Sequence, residues 1–309
     1  MPTTRRPSRL ATALFALGLP VAAAAGQDPT PAPPTPSVPA SANHPVNTPG
    51  NAAWAANAAE ARAIAKADKK FVYYEFTSTE CRDCRRMQGL IYPAFDFEAL
   101  LIGMVPVQVA LSSPDGKALG ERYAITEEPS VLITTPEGRL VFLMQGFKNA
   151  NDFYSHAHRD IDAYRQFAKT VDAQHVPTLS AAEAYSSGRA LYARFDYEGA
   201  ASRLERAAAA PDAKPELRES ALMGLAAADR QLGKYAAARR SADKVIATTK
   251  SPDQKERAEL FIAELALAQN HPGDALAAYK KFAKDHPKSP YIEKVRGFIT
   301  RLETTAPKS

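Results

Sequence analysis

The residues with the clearest chemistry are the only two cysteines, Cys81 and Cys84, which frame Arg82 and Asp83 in a Cys-x-x-Cys spacing. They directly follow an aromatic, β-branched run and open a helical one. A thiol at a helix N-terminus meets the positive end of the helix dipole and unpaired N–H donors, both of which stabilise a thiolate. The second thiol, one turn on, lies on the same face and can attack a mixed disulfide formed on the first. Arg82, Arg85 and Arg86 add positive charge, and Asp83 opposes them. The spacing alone leaves other readings open. Zinc needs about four ligands, and the other soft donors are six scattered histidines, of which His156 and His158 are two apart and face different sides of a helix. A structural disulfide closing so short a loop would stabilise little. No cofactor motif is present. Glu75 lies six residues before Cys81 within Phe-Val-Tyr-Tyr-Glu-Phe. A carboxyl inside such a strand has a raised pKa, useful for proton transfer at neutral pH; at a strand end it would simply face solvent.

The elements that must position these residues can be read from composition and period. Residues 56–69 are Ala-rich and helical, and 71–76 form a buried strand. A helix follows the cysteines over 85–90. Residues 105–111 read as a strand and 116–123 as a short helix. Strands at 130–134 and 140–145 are joined by Pro136-Glu137-Gly138, a turn signal. A last helix runs from Asn149 to about Tyr164. Alternation of helix and strand, closed by a hairpin and a helix, predicts an α/β domain: a mixed sheet flanked by helices.

After about Thr178 the strand signals stop, and a repeat emerges. Tyr197-Glu-Gly-Ala200 recurs as Tyr235-Ala-Ala-Ala238 after 38 residues, and Ala238 matches Ala275 after 37. Leu204, Ala242 and Tyr279 share one register; Ala207, Val245 and Phe282 share another. Small residues let paired helices approach closely, and larger ones fill the layer between. The pattern resembles tetratricopeptide repeats, whose usual period is about 34; an ordinary helical bundle is the competing reading. Residues 179–304 are thus expected to form an all-α, tetratricopeptide-like helical-repeat domain, with Ser289 to Leu302 as a capping helix and a groove for a protein partner.

The start of the chain reads as an export signal. Arg5, Arg6 and Arg9 precede an apolar run from Leu10 to Ala25, and small residues end it. At 16 residues the run is short for a membrane span of roughly 20. Residues 1–25 are therefore expected to be a signal peptide, leaving no membrane span after its removal, with an uncleaved anchor as the alternative. Of the 24 prolines, eight fall between residues 27 and 50, so residues 26–52 read as a spacer. The net charge of +5 falls to about +2 without the three leader arginines, too weak a field to steer a nucleic acid.

Residues from Trp54 to about Phe167 resemble the thioredoxin superfamily, above all the branch containing the periplasmic C-terminal domain of the DsbD-type interchange protein. The stretches that carry the resemblance are Lys69-Lys70, Glu75-Phe76, Cys81 to Cys84, Met87, Glu128-Pro129-Ser130-Val131-Leu132, Gly138 and Gly146-Phe147. It implies a thioredoxin-like domain over 53–167, joined by a connection at 168–178 to the helical repeats. It implies Cys81 as nucleophile, Cys84 as resolving thiol, and Pro129 as a cis-proline facing the pair. It also implies that Glu75 moves the proton of the resolving cysteine. Glu80 stands where the family usually has tryptophan, and its carboxylate opposes thiolate formation. The expected function is that of a periplasmic or otherwise extracytoplasmic thiol–disulfide oxidoreductase. Its partners would be disulfide-containing exported proteins or a thiol–disulfide electron donor. The alternative is a non-enzymatic scaffold whose tail binds a partner and whose thioredoxin-like domain is structural or redox-sensing.

Overall fold

In the computed structural model, residues 53–93 and 95–305 are described, Thr305 by its backbone alone. The expected leader (1–25) and spacer (26–52) lie outside them. The first half is built on four strands, β1 (Phe71–Phe76), β2 (Met104–Val109), β3 (Ser130–Thr134) and β4 (Leu140–Gln145), in the order β2-β1-β3-β4. β1 pairs parallel with β2 (Phe76 opposite Val109) and antiparallel with β3 (Phe76 opposite Ser130). β4 closes the sheet antiparallel to β3 through the turn at Gly138, whose φ of 88° suits glycine.

Alternation along β1 assigns its side chains to two cores. Tyr73 joins Val131, Ile133, Phe142 and Met144 under helices α2 (Arg82–Ile91), α3 (Phe95–Leu101) and α5 (Ala150–Asp172). Val72, Tyr74 and Phe76 join Val107, Val109 and Leu132 under α1 (Ala58–Asp68) and α4 (Pro114–Tyr123). The result is the mixed sheet with helices on both faces that the alternation predicts.

Two elements differ from the sequence reading. The seven-residue helix α3 went unread, because so short a segment carries little periodic signal. Helix α5 continues past Tyr164 to Asp172, into the first five residues of the expected connection at 168–178. Its later turns are held by two neighbours at once: Tyr164 packs in the sheet's core, while Val171 belongs to a cluster with Leu191, Ala200 and Leu204 of the helical half.

The second half is all-helical: α6 (Ala181–Tyr192), α7 (Tyr197–Ala209), α8 (Pro215–Gln231), α9 (Tyr235–Thr248), α10 (Pro252–Ala268), α11 (Pro272–Asp285) and α12 (Ile292–Thr305), after a short 3-10 turn at Val176–Thr178. Each helix packs on the next, and α6 also touches α8, as α8 touches α10. Ala200, Ala238 and Ala275 are fully buried at these contacts, as are the two registers that accompany them. The repeat is also written in the backbone. Phe195, Gly233 and Asn270 are left-handed, and the residue after each donates its N–H back to Leu191, Asp229 and Ala266. This is the same helix-ending motif three times over. Glycine and asparagine tolerate that conformation; a phenylalanine is strained in it.

Phe195 is retained there because its turn is anchored on the sheet domain. Its ring lies 4.9 Å from that of Tyr123, and its carbonyl accepts from Arg122 Nη2 at 3.1 Å. Leu140 N–H donates to the Arg194 carbonyl (2.8 Å), and Arg194 Nη1 donates to the Leu140 carbonyl (2.9 Å). Arg139 reaches Asp196 through Nε and Nη2 (3.0 and 2.8 Å) and Asp172 through Nη1 (3.0 Å). Both halves belong to one compact unit.

Candidate active site

Cys81 and Cys84 lie at the C-terminal end of β1, where the chain leaves the sheet and turns into α2. Cys81 is the N-cap of that helix: its Sγ accepts the N–H of Cys84 at 3.0 Å, so an orphan donor of the first turn points at the sulfur. The two sulfurs are joined in a disulfide. Cys81 is part-exposed and Cys84 is fully buried, so an incoming thiol or disulfide meets Cys81 first.

The loop before the pair is held from both sides. Arg85 Nη1 donates to the Thr79 carbonyl, and Thr79 Oγ1 donates to Glu80 Oε1 at 2.7 Å. The Thr79 hydroxyl holds the exposed Glu80 carboxyl below its ordinary range. This acid is therefore ionised at neutral pH, one residue from Cys81. Arg86 covers the Phe147 ring at 4.5 Å, which ties α2 to the loop after β4.

Pro129 is buried and follows a cis peptide bond from Glu128. Ser130 Oγ donates to the Glu127 carbonyl (2.7 Å), closing the turn beneath that bond. The Glu128 side chain turns back to the cysteines. Its carboxylate and the two Sγ atoms lie within 4.8 Å of one another. Among the described residues these three are the group whose donor atoms could converge on a metal. In the disulfide state the sulfurs are bonded to each other, and three donors fall short of the usual four.

Glu75 is fully buried on the face of β1 beneath α2. Gln88 Nε2 donates to its Oε1 (3.0 Å), while Tyr92 OH and Gln108 Nε2 (2.8 Å) donate to its Oε2. Burial raises the pKa of Glu75, and the three donors work against that rise. The Tyr92 hydroxyl is pushed far up, first by burial and then by the Glu75 charge, so it stays a proton donor to the carboxylate.

The structure thus brings Cys81, Cys84 and Pro129 together at one end of the sheet and sets Glu75 below them. It adds three partners of Glu75 (Gln88, Tyr92 and Gln108) and, at the sulfurs, Glu128, to which the sequence reading gave no role. The available signal was adjacency: Glu128 precedes the proline expected to face the pair.

A thioredoxin-like sheet with a Cys-x-x-Cys pair at the N-terminus of its first post-β1 helix defines the class of thiol–disulfide oxidoreductases. Residues 58–159 match the thioredoxin-like domain family, and that stretch is a thioredoxin-like domain. The helical region lies beyond the match. Among solved structures, the chain is similar to a thioredoxin from Thermus thermophilus, with 22% identity, 38% of this chain and 92% of that chain covered, and a TM-score of 0.32. It is also similar to a DsbH oxidoreductase, with 20% identity, 39% and 95% covered, and a TM-score of 0.32. No curated protein matches.

Proposed function

We propose that this chain is an exported thiol–disulfide oxidoreductase that reduces or exchanges disulfides of extracytoplasmic proteins, with its helical tail holding a protein partner. The observation that carries the reading is the Cys81–Cys84 disulfide at the N-terminus of α2, part-exposed at Cys81 and buried at Cys84. In the reducing direction the Cys81 thiolate attacks a substrate disulfide, and one substrate thiolate leaves. Cys84 then attacks the Cys81 sulfur, which regenerates the intramolecular disulfide and releases the second substrate thiolate. Pro129, with no N–H of its own, leaves the neighbouring backbone to align the incoming chain. Glu75 supplies a buried carboxyl with raised proton affinity behind the helix that carries both cysteines, which suits it to hold a proton during turnover.

Export rests on the leader of residues 1–25, and an extracytoplasmic setting suits a disulfide. No helix among the described residues is long and apolar enough to cross a membrane. Tail binding rests on the stacked, tetratricopeptide-like helix pairs.

The test is a trap. C84S should accumulate a mixed disulfide on Cys81, visible on a non-reducing gel and by mass spectrometry of the exported fraction; C81S should capture nothing. If C84S captures nothing and the wild-type pair neither reduces a model disulfide nor oxidises a model dithiol, the scaffold reading replaces this one. A reduction potential for the pair sets the direction: a value near about −270 mV marks a reductant and one near about −120 mV an oxidant.

A further inference from the structure

The residue just before the cis-proline is an acid held against the sulfurs. Each oxygen of Glu128 accepts one hydrogen bond: Oε2 from Ser78 Oγ at 2.6 Å and Oε1 from the Leu111 N–H at 2.7 Å. These donors come from the loop before Cys81 and from the turn after β2, so the carboxylate is fixed in place. Each oxygen keeps a further lone pair, and the group lies within 4.8 Å of both sulfurs. Glu128 is half-buried, whereas Cys84 beside it is fully buried. A buried thiol has no direct water to take its proton. Glu75, the fully buried acid of the site, has both oxygens occupied by Gln88, Tyr92 and Gln108, and it lies outside the cluster that Glu128 forms with the two sulfurs.

We propose that Glu128 accepts the proton of the Cys84 thiol during resolution and passes it to the departing substrate thiolate. The proposal rests on the oxidoreductase reading above. With the mixed disulfide on Cys81, the proton moves from Cys84 Sγ to the Glu128 carboxylate. The Cys84 thiolate then forms a bond to Cys81 Sγ as the bond from Cys81 to substrate sulfur breaks. The substrate sulfur leaves with the electron pair and takes the proton from Glu128. Two protein thiols have then been oxidised to one disulfide and one substrate disulfide reduced to two thiols, with no other reactant. The site never carries the carboxylate and the Cys84 thiolate together, a pair of like charges that repel at this distance. Glu75 accepts from Gln88 on the helix that bears Cys84.

The experiment uses the reduced full chain and 5,5′-dithiobis(2-nitrobenzoate), whose two thiol-releasing steps are seen separately by stopped-flow absorbance. The first reports attack by Cys81 and the second resolution by Cys84. E128Q should leave the first step within a few-fold and slow the second on the order of 100-fold near neutral pH. The loss should shrink at alkaline pH, where Cys84 ionises unaided, and E128D should recover part of the rate. Near-UV circular dichroism of each variant checks the fold. A second step unchanged in E128Q overturns the proposal, as does equal slowing of both steps at every pH with no rescue by aspartate, which would mark a structural role. Loss of the second step in E75Q but not in E128Q assigns the proton to Glu75 instead. If the wild type never completes the second step, the oxidoreductase reading itself falls.

Discussion

Replacing Arg139 with alanine should loosen the helical half from the sheet without touching the cysteine pair, which lies at the other end of β1. The guanidinium makes two contacts to Asp196 and one to Asp172. Asp196 is only 17% exposed at its side chain and Asp172 is 57% exposed. The Asp172 contact is therefore worth at most about 1 kcal/mol. The Asp196 pair is largely desolvated, and a charged hydrogen bond there is worth about 1.5–3 kcal/mol. Removing the cation also leaves that acid half-paired, its other oxygen still accepting the Gly199 N–H at 2.8 Å. R139A should thus cost about 3 kcal/mol, or a fall in Tm of about 6–12 °C for a unit of this size. Native-state hydrogen exchange reads the effect where it arises. The Leu140 amide, bonded to the Arg194 carbonyl, should exchange about 100-fold faster, and the amides of β1 should change less. R139K should recover part of the loss, because lysine reaches one acid without the planar fork. Unchanged exchange at Leu140 together with a Tm within about 1 °C of wild type would refute the view that this arginine joins the two halves.

Three further outcomes are expected. Because burial raises the Glu75 pKa in the folded state, the folded protein keeps that proton longer than the unfolded chain. Its stabilising contribution is full below the ordinary carboxylate range and is lost as pH rises towards the folded value, with a slope of at most about 1.4 kcal/mol per pH unit. E75Q should remove that slope in urea titrations from about pH 4.5 upward, and parallel wild-type and variant curves would contradict it. G116A should destabilise by about 3 kcal/mol in chemical denaturation, since a Cβ there would sit 1.9 Å from the Ala110 carbonyl oxygen, which is backbone; a neutral result would mean that this loop yields freely. A238L, at a fully buried helix contact, should cost about 1–3 kcal/mol, whereas A236L on the exposed side of the same helix should stay within about 0.5 kcal/mol; equal effects would count against the repeat register.

The sequence made the strands legible because β1, β3 and β4 are short apolar runs between turn signals, and their limits can be read almost to the residue. The cysteine pair was legible from spacing and context. The repeat was legible through small residues, but its left-handed turns were not: Gly233 and Asn270 merely suit that conformation, and Phe195 gives no signal of it. Glu128 and the partners of Glu75 were harder for a physical reason. Gln88 and Gln108 are thirteen and thirty-three residues from Glu75, and a polar side chain in a helix or strand looks solvated until tertiary pairing turns it inward. The length of α5 was hidden likewise, since its last turns are fixed by contacts with helices that come later in the chain.

The turn at Arg194 has a consequence for how copies of this protein meet one another. A four-stranded open sheet has two outer strands, each with backbone groups able to recruit a strand from another molecule. On the β2 side, Pro106 offers no N–H, and its carbonyl is taken by the Ala55 N–H at 2.9 Å. On the β4 side, Leu140 has both backbone groups occupied by Arg194. A truncation that ends with the thioredoxin-like domain removes this second cover. The shortened protein should then self-associate through β4, so the helical half protects the solubility of the thioredoxin-like half.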